Sequence, residues 1–479
     1  MFGIAFVKGL QGNHSRYIRA NGGCKHFNVH GGPENIPSFR WNFNSKVSMR
    51  DWRTTFLPAF RYCVKAGAYS LMCSYNRYCY INGVPACANK QLLTDILRKE
   101  WGFHGYVVSD MEAVENIKNA FHYRSNDVDT AAVALEAGLN LELAAPDYKK
   151  ETLMSISEAV RQGQLAESVV RERVKPLFYT RMRHGEFDPP NMNPYSSIGM
   201  SVIENQSHRN MAIEAAMKSF VLLKNDGTLP LKTQPYNKIA IIGPTADTAY
   251  ILMGSYASSP NAKFITTPRR GLESLGRSVN FAVGCTNSTY CTNYDSNSIR
   301  SAVHNVDVVF VFVGLGILIE GEGKDRPDIE LPGHQMQLIQ DAVYNSGSAK
   351  VILITLNAGP INIQWADQNP RISAIIAAFY PGQEAGVALK TVLTSSYHPQ
   401  FGRLPFTWYR SANQVPPMID YSMTGRTYRY FKQDPLYPFG YGLTYTKFNF
   451  ENLIVPGSVT AGQDLHISVT LRNTGNLPG

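Results

Sequence analysis

Four short segments between residues 238 and 379 are almost continuously apolar and rich in β-branched side chains: KIAIIG (238–243), VDVVFVFVG (306–314), KVILITL (350–356) and ISAIIAAF (372–379). A strand with one wet face alternates apolar and polar residues, so a strand without alternation has both faces covered. Helical stretches at 334–344 and 383–393 separate them, which predicts a parallel sheet layered between helices. A weaker version of the pattern runs from residue 1 to about 185. There, strands are expected at 68–75, 106–108 and 139–144, and helices at 90–100, 129–138 and 151–163. Asn89 and Asp127 are the expected helix caps and Gly138 a helix stop.

With 479 residues the chain has room for two to four domains. The Pro-, Asn- and Ser-rich stretch DPPNMNPYSS (188–197) breaks the first pattern and predicts a boundary, with a first domain over 1–187 and a linker over 188–207. A second α/β domain is expected over 208–441. Past residue 441, alternating apolar positions and Gly or Asn turns read as the start of a β-sandwich, 442–479, which is short of the ~100 residues such a domain takes.

Composition narrows the classes. Hydrophobic residues make 44% of the chain and charged residues 17%, the balance of a folded protein rather than a disordered one. The net charge of +9 is scattered among carboxylates, without the basic run that nucleic-acid binding calls for. Val308 to Ile319, the longest apolar stretch, is only about twelve residues, too short to span a bilayer. No nucleic-acid or membrane partner is expected, and the N-terminus as written carries no signal-peptide pattern. The seven cysteines lack paired CxxC spacing, so no zinc site is expected. Cys285 with Cys291, and Cys79 with Cys87, bracket short loops that suit local bridges; buried unpaired thiols are the alternative. Sequons at Asn13, Asn205 and Asn287 point towards a secretory origin.

Several residues are placed to do chemistry. Asp110 ends the apolar run GYVVSD, and in a parallel βα array the residues just past strand C-termini line the ligand face. The other reading of Asp110 is a cap on the helix that follows. Lys25 and His26 lie in CKHF before a Gly-Gly loop, and Met72 and Tyr75 lie at the end of a strand in MCSYN; a buried, satisfied pair and ordinary core packing are the competing readings. The loop 314–328 carries Glu320, Glu322, Asp325 and Arg326, and reads either as a solvated loop or as one presenting a carboxylate. IIGPTA and VGLG fit neither phosphate-loop pattern, so no nucleotide site is expected.

Taken together, CKHF (24–27), MCSYN (72–76), INGVPACANKQLLTDILRKEWGFHGYVVSD (81–110), FVLLKNDGTLPL (220–231), EGEGKDRPDIELPGHQ (320–335), GRLPFTWY (402–409) and YPFGYGLTYTKF (437–448) resemble glycoside hydrolase family 3, within it the β-xylosidase/α-L-arabinofuranosidase-like branch. The motifs follow the family's order over nearly the whole chain. The resemblance implies an α/β architecture: a (β/α)8-type barrel, here incomplete, then an α/β sandwich and the start of a fibronectin-III-like domain. It implies retaining hydrolysis of β-linked sugars from non-reducing ends of an oligosaccharide substrate, without metal or organic cofactor, in a secreted protein.

By motif position, Asp110 is the implied nucleophile and Glu320 the implied acid/base, with Glu322 its rival. Lys25, His26, Met72 and Tyr75 match sugar-gripping positions, and Met111, after the nucleophile, stands where the family commonly has Trp or Cys. Asp110 and Glu320 are 210 positions apart, so only a closed interface between domains would let them act together. A complete barrel takes ~250 residues, and the family places several strands ahead of the Lys25 motif. The expectation is therefore a chain truncated at both ends. The competing expectation is a non-catalytic carbohydrate-binding fragment.

Overall fold

The computed structural model describes all residues except 42, 79–82, 145–150, 260, 287–288, 395–400 and 479. The chain divides into two compact units: Met1–Met200 with Pro416–Thr424, and Ser201–Val415 with Gly425–Gly479.

The first unit is built on three parallel strands, β1 (Gly23–Phe27), β2 (Ser70–Cys73) and β3 (Tyr106–Ser109), adjacent in that order. The expected fourth strand at 139–144 is reduced to one parallel bridge, Val108 to Leu141. Leu71, Val107, Leu92, Leu93 and Ile96 form the core, the last three from the helix Gln91–Glu100. Asn89 caps that helix through its Oδ1, which accepts from Leu92 N–H at 3.0 Å. The helix Asp127–Ala137 is capped by Asn126 rather than Asp127, the Asn126 side chain accepting from Asp129 N–H, and it stops at Gly138, whose φ of 126° suits glycine. The returning segment Pro416–Thr424 belongs to this unit. Its Tyr421 hydroxyl accepts from Gly31 N–H at 2.9 Å and donates to Gly32 O, and its ring packs on Phe43 and Phe56.

Disulfides correct one expectation. Cys87 bonds to Cys73 at the end of β2, not to Cys79, because the chain returns to β2 before the helix begins. Cys24 of β1 bonds to Cys63 of the helix Pro58–Lys65, a pairing with no local signal. Cys285–Cys291 forms as expected.

The second unit carries a six-stranded sheet: β4 (Val221–Asn225), β5 (Tyr236–Ile242), β6 (Gly276–Ala282), β7 (Val308–Gly314), β8 (Lys350–Leu356) and β9 (Ile372–Ala377), in the spatial order β4-β9-β8-β7-β5-β6. Five strands are parallel and β4 closes one edge antiparallel. All seven residues of β7 are buried. Their alternation puts Val309, Val311 and Val313 into one apolar layer and Val308, Phe310 and Phe312 into the opposite one. That two-sided burial is why the segment shows no polar alternation. Strand order reverses between β5 and β7, the place where open α/β sheets leave a crevice beyond the strand C-termini. A cavity of about 500 Å3 opens there, lined in part by Tyr250, Ile251, Val283, Leu315 and Ile317.

Beyond this sheet, β10 (Phe448–Ile454) and β11 (Ser468–Asn473) pair antiparallel, with Phe450 and Leu471 exposed. No helix among the described residues is long and apolar enough to cross a membrane.

Candidate functional site

In the first unit, the C-terminal ends of three adjacent parallel strands bring the predicted residues together. Asp110 follows β3 directly, and its backbone N–H donates to Cys73 O at 3.0 Å, continuing the sheet one residue past the strand. Its carboxylate, 13% exposed, accepts from Met111 N–H at 2.9 Å and lies 3.6 Å from His26 Nε2. Pairing between β1 and β2 is irregular between Cys24 and Phe27, the stretch that holds Lys25 and His26. A bulge of this kind re-aims side chains at a strand end. Lys25 is exposed and His26 half-buried, whereas Phe27 is fully buried in the core.

Tyr75, 7% exposed, completes the group from the end of β2. Burial, the negative charge of Asp110 and a hydrogen bond to it push the Tyr75 hydroxyl well above its ordinary range, so it stays a proton donor. Burial also pushes the Asp110 carboxyl up, and this is countered by the Met111 N–H and by the positive charges of His30, Lys25 and Arg40. The result is a carboxylate drawn out of water yet surrounded by groups that favour its charged form. Such a group is suited to attack an electron-poor carbon. Met72 is half-buried on β2, in register with Val108, and Met111 is 39% exposed beside the carboxylate.

Two members of this group escaped sequence reasoning. His30 stacks edge-on against His26 with ring centres 4.8 Å apart, and its Nδ1 is 2.9 Å from Asn76 Oδ1. Its signal was present, a second histidine four residues after the first. Arg40 lies 5.5 Å from the centre of the Tyr75 ring and pairs with Glu34 at 3.2 Å. It sits in a loop with no periodicity, so nothing local marked it.

In the second unit, the loop after β7 treats its two glutamates differently. The Glu320 carboxylate is 12% exposed and accepts from Tyr380 OH at 2.6 Å, from Gly359 N–H at 3.3 Å and from Ala358 N–H, with Arg326 Nε at 3.4 Å. Both of its oxygens are thus engaged by protein donors. Glu322 is exposed, its backbone N–H donating to Ser255 Oγ at 3.1 Å. The loop is not loosely solvated. Gly321 bridges to Lys324, and Lys324 Nζ donates to Ile317 O at 3.2 Å and to Leu318 O at 3.0 Å.

Comparisons with known proteins follow the same division. The Glycosyl hydrolase family 3 N terminal domain matches residues 1–178, and the Glycosyl hydrolase family 3 C-terminal domain matches residues 220–445. Probable beta-D-xylosidase 7 of Arabidopsis thaliana is 34% identical over 465 residues, covering 94% of this chain and 59% of the relative. Beta-xylosidase/alpha-L-arabinofuranosidase 2 of Medicago sativa subsp. varia is 34% identical, covering 96% of this chain and 59% of the relative. Among solved structures, a GH3 exo-beta-xylosidase in complex with a xylobiose aziridine probe superposes with a TM-score of 0.87 at 27% identity, covering 99% of this chain and 64% of that one. A beta-glucosidase from Listeria innocua in complex with glucose gives 0.84 at 26% identity, covering 100% of this chain and 65% of that one. The chain thus spans about three fifths of the length of the curated relatives it matches.

Proposed function

The chain belongs to glycosyl hydrolase family 3, and from that premise we propose that it acts as a retaining, exo-acting β-glycosidase that removes terminal xylose, or arabinose or glucose, from oligosaccharides. The observation that carries this reading is Asp110, a half-buried carboxylate at the end of a parallel strand with Lys25, His26 and Tyr75 around it. The names of the relatives support xylose and arabinose as the sugars.

In this reading an Asp110 oxygen attacks the anomeric carbon and the glycosidic bond breaks as the acid gives its proton to the leaving oxygen. Water then attacks the glycosyl ester, gives its proton to the same acid and frees Asp110. Lys25 and His26 hold sugar hydroxyls, and hydrogen bonds there strengthen as charge develops on the ring. Met72 and Met111 shape the pocket wall. We assign the acid/base role to Glu322 in preference to Glu320. A general acid must lie within reach of the leaving oxygen, and both Glu320 oxygens are already taken by protein donors, whereas Glu322 is exposed.

The first unit is read as part of a (β/α)8-type barrel spanning 1–187, the second as an α/β sandwich over 208–441 after the linker 188–207, and the β10–β11 ribbon as the start of a fibronectin-III-like domain over 442–479. Three disulfides among the described residues support an extracellular setting.

Release of nitrophenol from aryl β-xyloside, β-glucoside and α-arabinofuranoside tests the proposal. Turnover is expected on the xyloside, with Asp110→Asn lowering it at least ~1,000-fold, on the order of losing a covalent nucleophile. Absence of turnover, with binding of xylose oligosaccharides retained, would favour the non-catalytic carbohydrate-binding reading instead.

A further inference from the structure

Glu320 is joined to three separate strand ends of one sheet. Its own loop leaves β7, and the loop folds back through Glu320 N–H, which donates to Gly316 O at 3.0 Å. Ala358 and Gly359, which donate to the carboxylate, follow β8. Tyr380 follows β9, and its hydroxyl serves twice, accepting from Gly316 N–H at 2.9 Å and donating to Glu320 at 2.6 Å. Because the Tyr380 oxygen accepts from a backbone N–H, its single proton is the one given to the carboxylate. Arg326, at the far end of the same loop, faces Glu320 and also donates to Pro360 O at 2.9 Å. Space at this junction is limited: a methyl group on Gly359 would lie 2.8 Å from Arg326 Nη2.

We propose that Glu320 is a positioning residue: it ties the loop after β7 to the turns after β8 and β9, and thereby fixes where Glu322, two residues further on, is presented. This rests on the reading of Glu322 as the acid/base. Glu320 itself does not touch the sugar. Its carboxylate takes donors from the segments that follow β8 and β9, and its charge answers Arg326. Removing the charge leaves Arg326 unopposed and loosens the loop from both ends.

Two measurements on Glu320→Gln, Tyr380→Phe and Glu322→Gln test this independently of each other. The first is hydrogen–deuterium exchange over 315–328 and 357–360, which needs no activity. Glu320→Gln is expected to speed exchange there ~10-fold or more, Tyr380→Phe by less, and Glu322→Gln not at all. Unchanged exchange in Glu320→Gln overturns the positioning role whatever the enzyme does. The second is kinetics on aryl glycosides with good and poor leaving groups. Glu320→Gln is expected to lower kcat ~10- to 100-fold alike on both, with KM little changed and no rescue by azide. Glu322→Gln is expected to lose far more on the poor leaving group and to be rescued by azide. Leaving-group-dependent loss with azide rescue in Glu320→Gln would make Glu320 the acid and overturn the proposal. Faster exchange in Glu320→Gln together with a wild type that hydrolyses no glycoside would support the positioning role and sink the functional reading alone.

Discussion

The two sheets differ in how they treat the ends of their strands. In the second unit, β7 and its neighbour β8 are sealed on both faces, and chemistry is left to the loops that follow. In the first unit, β1 buries only Phe27 fully, and Lys25 and His26 lie within the strand where pairing is irregular. The sealed sheet behaves as a rigid base on which a loop can be tied down by side-chain hydrogen bonds. The half-open one presents catalytic candidates from the strands themselves, with little loop between them and the core. A site on a strand inherits the precision of the backbone ladder, whereas a site on a loop needs a junction such as that around Glu320.

The contrast can be broken by mutation. The largest expected effect is in the sealed sheet: Phe310→Ala, at a side chain with 0% exposure, should cost about 3–5 kcal/mol. Val108→Ala on β3, half-buried, should cost ~1 kcal/mol. Urea midpoints for the two variants give the comparison directly, and equal losses would mean that the sheets are sealed alike.

Next is the covalent tie that the first unit uses. Cys24–Cys63 closes a separation of 39 residues, and in the chain-entropy account its loss costs about 4 kcal/mol. Cys285–Cys291 in the second unit spans only 6 residues and should be worth about 2 kcal/mol on the same account. Paired Cys→Ser variants, Cys24/Cys63 against Cys285/Cys291, should therefore melt in that order. A larger fall for the 285–291 pair would contradict the assignment of the greater constraint to the first unit.

A pH effect comes third and also belongs to the first unit. Glu142 is 9% exposed, and its carboxyl is pushed up to about 7, chiefly by burial, with Glu115 and Glu151 adding to it and N–H donors from Leu153 and Thr152 opposing. The fold thus favours the protonated form. The cost of ionising it is absent below the ordinary glutamate pKa of ~4.3, grows as pH rises towards 7 and is complete above it. Glu142→Gln should raise the melting temperature at pH 8, by an amount on the order of 2–3 kcal/mol in stability, and have little effect at pH 4. A gain of the same size at both values would rule out the titration of Glu142 as its source.

The smallest effect is expected at Met111, which is 39% exposed. Met111→Ala should change stability by no more than ~0.5 kcal/mol while altering KM for the glycoside, so that stability and kinetics separate.

Much of this was legible beforehand. Strand β8 falls on the residues expected, and β5, β7 and β9 lie within two residues of their predicted ends, because burial on both faces writes itself into composition. Strands β4 and β6 lacked that continuous signal: the sheet-edge position of each leaves β4 ending in Lys224 and Asn225, and β6 interrupted by Arg277, Ser278 and Asn280. The strand expected at 139–144 shrank to a bridge. Asp110 could be found because a carboxylate closing an apolar run is a local pattern. Arg40 and Tyr380 could not, since neither stands in a periodic segment.

What the sequence determined by itself was therefore what repeats locally: a parallel sheet covered on both sides, strand–helix alternation, and a carboxylate at a strand end. Only the tertiary structure decided which residues meet. Cys87 found Cys73 instead of Cys79, and Cys24 found Cys63. Two glutamates separated by a single glycine were divided into one held by donors from the turns after β8 and β9 and one exposed to solvent. The physical reason is range. Periodicity reports the burial of each residue along its own strand or helix, but a disulfide partner or a hydrogen-bond donor comes from wherever the chain returns.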